Sequence, residues 1–349
     1  MPTRLSVVLS QGQSDHPAKR GLEEEIAGAL LMERGIELTV ISNLYDLTVD
    51  STGILAMQGI TGPMVVVSWL YDRAARWTLD RYDIHGQVGT VLLLNEEEDE
   101  EEDEEEDENE EDAEEAEEKT RVADERVVPD RRIYCLDLRA ANDAAEFVAE
   151  IQRIAKEESA DVVELGDWIG GTPTDEQRKK FENPTNDTAL GGLPAASSVN
   201  RISEQPDRRW YPVIDFSRCT NCMECIDFCL FGVYGVDASD TILVEQPDNC
   251  RKGCPACSRV CPENAIVFPQ HKSPAIAGAL GEAVGTLKID LSKLFGAPDA
   301  VEVAARERDE QLVLAGRDAV GIPRRQEGNT EQPKDDLDDL IDALDDLDV

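Results

Sequence analysis

Eight of the nine cysteines lie between Cys219 and Cys261, a span of 43 residues, and this cluster restricts the fold more tightly than any other feature of the chain. They fall into two sets. CTNCMECIDFC (219–229) has the spacing C-x2-C-x2-C-x3-C, and CRKGCPACSRVCP (250–262) has C-x3-C-x2-C-x3-C-P, with twenty residues between them. Thiols packed this densely are either ligands of a metal centre or halves of disulfides. Disulfides belong to oxidising compartments. The opening stretch MPTRLSVVLSQGQSD has a six-residue, mostly apolar run that is short for an export signal, and it reads as a first β-strand of a cytoplasmic protein. Four-cysteine zinc sites also use C-x2-C units, but as pairs, not as triads followed four positions later by another cysteine.

The net charge of -41 is concentrated in two places. Residues 96–118 hold twenty acidic side chains and no base, and residues 331–349 hold nine acids against one lysine, so these stretches carry about -28 of the total. The rest is only mildly acidic, which excludes a nucleic-acid surface built on clustered Lys and Arg. The first acidic run cannot bury enough apolar surface to fold, and a disordered insertion is expected, with docking of a basic partner as the alternative. The end, DDLDDLIDALDDLDV, sets Leu337, Leu340, Ile341, Leu344 and Leu347 on one helical stripe. It is either a frayed tail or a segment that docks on the chain or on a partner. No stretch approaches the roughly eighteen consecutive apolar residues of a membrane span, so no membrane insertion is expected.

Upstream, the runs RLSVVLS (4–10), ELTVIS (37–42), MVVVSWL (64–70), TVLLL (90–94) and RIYCLDL (132–138) alternate with helical patterns. Short, apolar and β-branched, they suit parallel strands buried on both faces. GLEEEIAGALLMERG places Leu22, Ile26 and Leu30 at i, i+4 and i+8, with Gly35 where a C-terminal cap belongs. YDRAARWTLDRY and AANDAAEFVAEIQRIAKE (140–157) give two further amphipathic helices. The expectation is a doubly wound, mostly parallel α/β domain over residues 1–157, interrupted by an acidic insertion at about 96–128. Residues 158–206 read as a linker, 207–270 as the cysteine module, 271–322 as a helical extension and 323–349 as a second linker with the acidic tail. Cys135, inside an apolar strand, reads as a core thiol.

The two cysteine runs resemble those of the bacterial-type two-cluster [4Fe–4S] ferredoxins, whose signature is C-x2-C-x2-C-x3-C-P. The resemblance covers residues 209–270. It implies a small α+β module of two strand-loop-helix-strand halves, in which the fourth cysteine of each run ligates the other cluster. Carried over residue by residue, it assigns Cys219, Cys222, Cys225 and Cys261 to the first cluster, and Cys229, Cys250, Cys254 and Cys257 to the second. Two departures stand out: Leu230 follows Cys229 where the family has proline, and the second triad opens with one extra residue, which Gly253 is placed to absorb.

Ligands of open parallel sheets bind beyond the carboxyl ends of the strands. There, Ser10, Gln11, Gly12, Gln13 and Ser14 precede a helix N-terminus and are the candidate phosphate site of a flavin, although they match neither G-x-G-x-x-G nor the P-loop. A scaffold domain without a ligand is the other reading of this region. Two functions follow. The first is an electron-transfer protein with two [4Fe–4S] clusters, working between redox protein partners. The second is an oxidoreductase, or a subunit of one, whose N-terminal domain binds a flavin or substrate. No catalytic constellation is identifiable in the sequence.

Overall fold

The computed structural model of the chain describes residues 5–94, 120–168, 199–279 and 300–321. The acidic run 96–118, the centre of the expected linker and the tail at 323–349 lie outside the described residues.

Strands β1 (Leu5–Ser10), β2 (Ile36–Ile41), β3 (Met64–Ser68), β4 (Gln87–Val88), β5 (Arg132–Asp137) and β6 (Asn200–Arg201) form one six-stranded sheet in the order β4-β5-β3-β1-β2-β6. Every pairing in it is parallel. Alternate residues of the central strands face opposite layers. Leu5, Val7, Leu9, Val65, Val67, Tyr134 and Leu136 pack with helices α1 (Pro17–Leu30) and α4 (Ala144–Trp168). Val8, Met64, Val66, Ile133 and Cys135 face the other way, toward α2 (Thr52–Gln58) and α3 (Asp72–Asp80). Burial on both faces explains why these strands read as continuous apolar runs.

The fourth strand differs from expectation. TVLLL (90–94) forms no strand, and the edge is the two-residue β4 just before it. At Gly89 the backbone lies against the Tyr134 ring so closely that an added Cβ would sit 2.3 Å from it. Beyond that point α4 takes over the backbone: Leu92 N–H donates to Glu150 (2.8 Å), and the Thr90 carbonyl accepts from Arg153 (2.8 Å). Side chains of a helix replace the neighbouring strand. The expected linker also contributes structure, because α4 continues to Trp168 and β6 extends the sheet beside β2.

The cysteine segment contains β7 (Val213–Ile214), α5 (Glu224–Phe228), β8 (Tyr234–Val236), β9 (Ile242–Val244), α6 (Ala256–Val260) and β10 (Ile266–Val267). β7 pairs antiparallel with β10, and β8 with β9. This segment is packed directly on the sheet domain. Tyr211, Val213 and Val267 belong to the same core as α2 and α3, and the Tyr45 and Tyr211 rings stack 4.3 Å apart. A buried ion pair, Arg73 with Asp215 at 2.6 Å, crosses the junction. Downstream, α7 (Pro274–Ala277) joins that core, and α8 (Ala300–Leu314) lies against α6.

Candidate metal centre

The first triad begins at a turn nucleated by Asp215. Its carbonyl accepts from Cys219 N–H (3.0 Å), and its carboxylate accepts from Ser217 N–H and Oγ–H (2.9 and 2.5 Å). Asn221 and Met223 then adopt left-handed backbone angles, φ 58° and 65°, which curl the loop between the cysteines. Asn221 anchors the loop, accepting from Ile242 N–H and donating to the Asp240 carbonyl, both at 2.9 Å. Helix α5 then carries the chain from Cys225 to Cys229 at its C-cap.

The second triad is built differently. Cys250 follows a single 3-10 turn, and Gly253 absorbs the extra residue at φ +87°, a conformation that disfavours any side chain. On the first run, where the family has proline, Gly232 (φ +67°) makes the reversal that follows Leu230. The Leu230 carbonyl accepts from Arg317 (2.8 Å).

The thiols gather in two places. Cys219, Cys222, Cys225 and Cys261 line one small cavity, with Glu224 and Glu263 at its wall. Cys229, Cys250, Cys254 and Cys257 line a second, with Phe228, Phe231, Tyr234 and Arg308. The electrostatics divide the same way. Burial and then Cys261, Cys219 and Cys222 push the Cys225 thiol up to about 12. Burial raises Cys257 well above its ordinary value; the Tyr234 hydroxyl, donating to its sulfur at 3.1 Å, acts against the rise, while Cys250, Cys229 and Cys254 add to it. Each fourth cysteine therefore sits with the other triad. Cys222 alone among the eight is exposed.

Four cysteine sulfurs around each cavity are a donor set that fits an iron–sulfur cluster. Soft thiolates around a cavity are the ligands that iron–sulfur clusters use.

At the end of β1 the five loop residues are engaged within the chain. Gly12 N–H donates to the buried Glu23 carboxylate (2.8 Å), which also accepts from Trp69 Nε1 and Arg20 (2.8 Å each). Ser10 Oγ accepts from Leu44 N–H, the Gln11 carbonyl accepts from Asn43, Gln13 donates to Asp46, and Ser14 Oγ accepts from His16 N–H.

Several residues near the thiols carried no signal strong enough to single them out. Tyr234 lies between the two cysteine runs with no motif to mark it. Arg308 sits at the centre of the stripe Ala304, Ala305, Arg308, Leu312 on α8, a spacing that marks a buried cation on an apolar face. Val122 and Ala123, at the end of the expected insertion, form a 3-10 turn whose N–H groups donate to the Cys219 and Phe216 carbonyls (2.9 and 3.0 Å). The apolar side chains of this turn set it apart from the acidic run before it.

The chain is similar to an uncharacterized ferredoxin of Methanocaldococcus jannaschii, 46% identical over 72 residues, which is 20% of this chain and 48% of that protein. It is also similar to the pyruvate synthase subunit PorD of the same organism, 36% identical over 59 residues, 17% of this chain and 66% of the relative. The chain thus spans about half of the first relative and just under two thirds of the second. No family model and no solved structure matches it. These similarities mark a ferredoxin-type iron–sulfur module on a small part of the chain. Among the described residues, no helix is long and apolar enough to cross a membrane.

Proposed function

We propose that this chain is an electron-transfer protein carrying two [4Fe–4S] clusters, one held by Cys219, Cys222, Cys225 and Cys261 and the other by Cys229, Cys250, Cys254 and Cys257. The observation that carries the reading is the sorting of eight thiols into two cavities, each completed by the fourth cysteine of the other run. When bound, such clusters accept and release single electrons at potentials set by their surroundings. The protein's part is to hold the thiolates, exclude water and present one edge to a partner. Phe228, Phe231 and Val233 line the second cavity, and Cys222 is the exposed thiol of the first.

The similarity to a subunit of pyruvate synthase supports an oxidoreductase complex as the partner class. Thiolate ligands suit a reducing cytoplasm. The acidic run ends three residues before Arg121, whose side chain reaches the Arg218 carbonyl at 2.5 Å beside Cys219. That position favours a basic partner surface at the first cluster, and partner reduction should then slow as salt rises. No contact adds support to the flavin reading, and Gly12 N–H, one donor it would use, is bonded to Glu23 (2.8 Å).

Protein purified without oxygen should be brown and hold about eight iron and eight sulfide per chain. Cys229→Ser should damage the cluster of Cys250, Cys254 and Cys257 and leave the other's EPR signal in place. Loss of the first triad's signal instead would refute the ligand assignment, and a colourless zinc protein would refute the reading altogether.

A further inference from the structure

The two thiol cavities differ in charge. Glu224 and Glu263 line the first, and the nearby cation Arg121 is paired with Glu263 (3.0 Å). The second has Arg308 and no carboxylate. Arg308 comes from α8, well outside the segment that holds the cysteines, and its side chain is only 5% exposed. Its guanidinium lies over the Phe228 ring, 4.7 Å from the centroid. Asp309 (3.0 and 2.9 Å) and the Gly321 carbonyl (2.7 Å) hold it there. The helix itself is fixed by Ala304, which packs with Cys254 and Ala256, and by the Glu307–Arg259 pair at 2.9 Å.

We propose that α8 makes the second cluster the more easily reduced of the two, and that Arg308 is the residue that sets the difference. This rests on the two-cluster reading above. Reduction adds one negative charge, which a nearby buried cation stabilises and nearby carboxylates oppose. Arg308 acts on the cluster through space and is not a ligand. Asp309 positions the guanidinium and tempers its field. An electron arriving at the exposed Cys222 edge then runs downhill to the second site, so α8 gives the module a direction. The extension that follows the cysteines becomes part of the electron-transfer unit.

The test is an anaerobic potentiometric titration of the full chain followed by EPR, with the two signals assigned through Cys222→Ser, which perturbs the first. In the unaltered protein the second cluster should titrate at the higher potential. Arg308→Gln should lower its reduction equilibrium about tenfold, which is 59 mV for one electron, and leave the first cluster in place. Arg308→Lys should keep most of the difference. Asp309→Asn should shift the second cluster the opposite way, upward by about threefold. A purely structural role for Arg308 would not produce opposite shifts from two neighbouring substitutions. Equal potentials in the unaltered protein, or equal shifts of both clusters in Arg308→Gln, would overturn the inference while leaving the carrier reading intact. Iron near four per chain would overturn the two-cluster reading, and the inference with it.

Discussion

Asp215→Ala should destabilise the protein by about 3–5 kcal/mol, the cost of leaving one member of a buried ion pair without its partner. Arg73 and Asp215 meet at 2.6 Å with side chains only 4% and 2% exposed. Arg73 also donates to the Asn264 carbonyl, and its Nη1 has no hydrogen-bond partner. Without Asp215 the guanidinium would keep one acceptor and be stranded between the sheet domain and the cysteine module. The reverse substitution, Arg73→Met, should cost less, about 1–2 kcal/mol, because Asp215 keeps Ser217 N–H and Oγ–H and lies 3.8 Å from Arg218. The double variant should fall short of the sum by roughly 2 kcal/mol, since no buried charge is then left alone. Urea unfolding read by far-UV ellipticity, with cluster absorbance followed in parallel without oxygen, measures all three. In the unaltered protein the two probes should move together, because Tyr211, Val213 and Val267 belong to the sheet domain's core. In Asp215→Ala the absorbance should be lost first. A cost below about 1 kcal/mol for Asp215→Ala, or single costs that simply add, would refute the view that this pair binds the two parts together.

Tyr234→Phe removes the hydroxyl that donates to Cys257 Sγ at 3.1 Å and leaves the ring in its buried place. A hydrogen bond worth about 1 kcal/mol corresponds to roughly a fivefold drop in the reduction equilibrium of the second cluster, with the first unmoved, read by the same EPR titration. Glu23→Ala strands Gly12 N–H and Trp69 Nε1 and takes one of its acceptors from Arg20, which keeps the Gly12 carbonyl and Asp15, so thermal unfolding should show a loss of about 2–4 kcal/mol. Cluster potentials should stay the same in that variant, as expected of a loop that serves the fold alone.

The parts that were legible in the sequence are those where one physical requirement leaves few solutions. Parallel strands buried on both faces must be apolar throughout, so β1, β2, β3 and β5 stood out, whereas the edge did not. TVLLL has the composition of a strand, yet what it forms depends on Glu150 and Arg153, some sixty residues away, which bind its backbone. The two-residue β6 lies in a stretch rich in polar and turn-forming residues and is held mainly by pairing with β2, which local composition does not reveal. The cysteines were visible through their spacing. The residues around them were not, because a tyrosine or arginine beside a sulfur looks in sequence like any core tyrosine or surface arginine.

The shared core also bears on what the sheet domain is for. A ferredoxin module on a flexible tether would reach many partners, but here β7, β10 and α7 are packed into the face of the sheet opposite α1 and α4. At the end of β1, Gly12 N–H is bonded to the Glu23 carboxylate (2.8 Å) and Gln13 to Asp46. The sheet domain's α3 carries Arg73 into the turn that launches the first triad and Trp77 edge-on against Phe216, with ring centroids 5.8 Å apart. Those contacts fix the loop of Cys219 and of the exposed Cys222. On the two-cluster reading proposed above, the sheet would serve as a mount that holds the first cluster at a fixed place on a large surface, so that a partner recognising the surface would be brought to the electron-exchanging edge. A tethered module would instead have to find that geometry anew at each encounter, which slows association between specific patches.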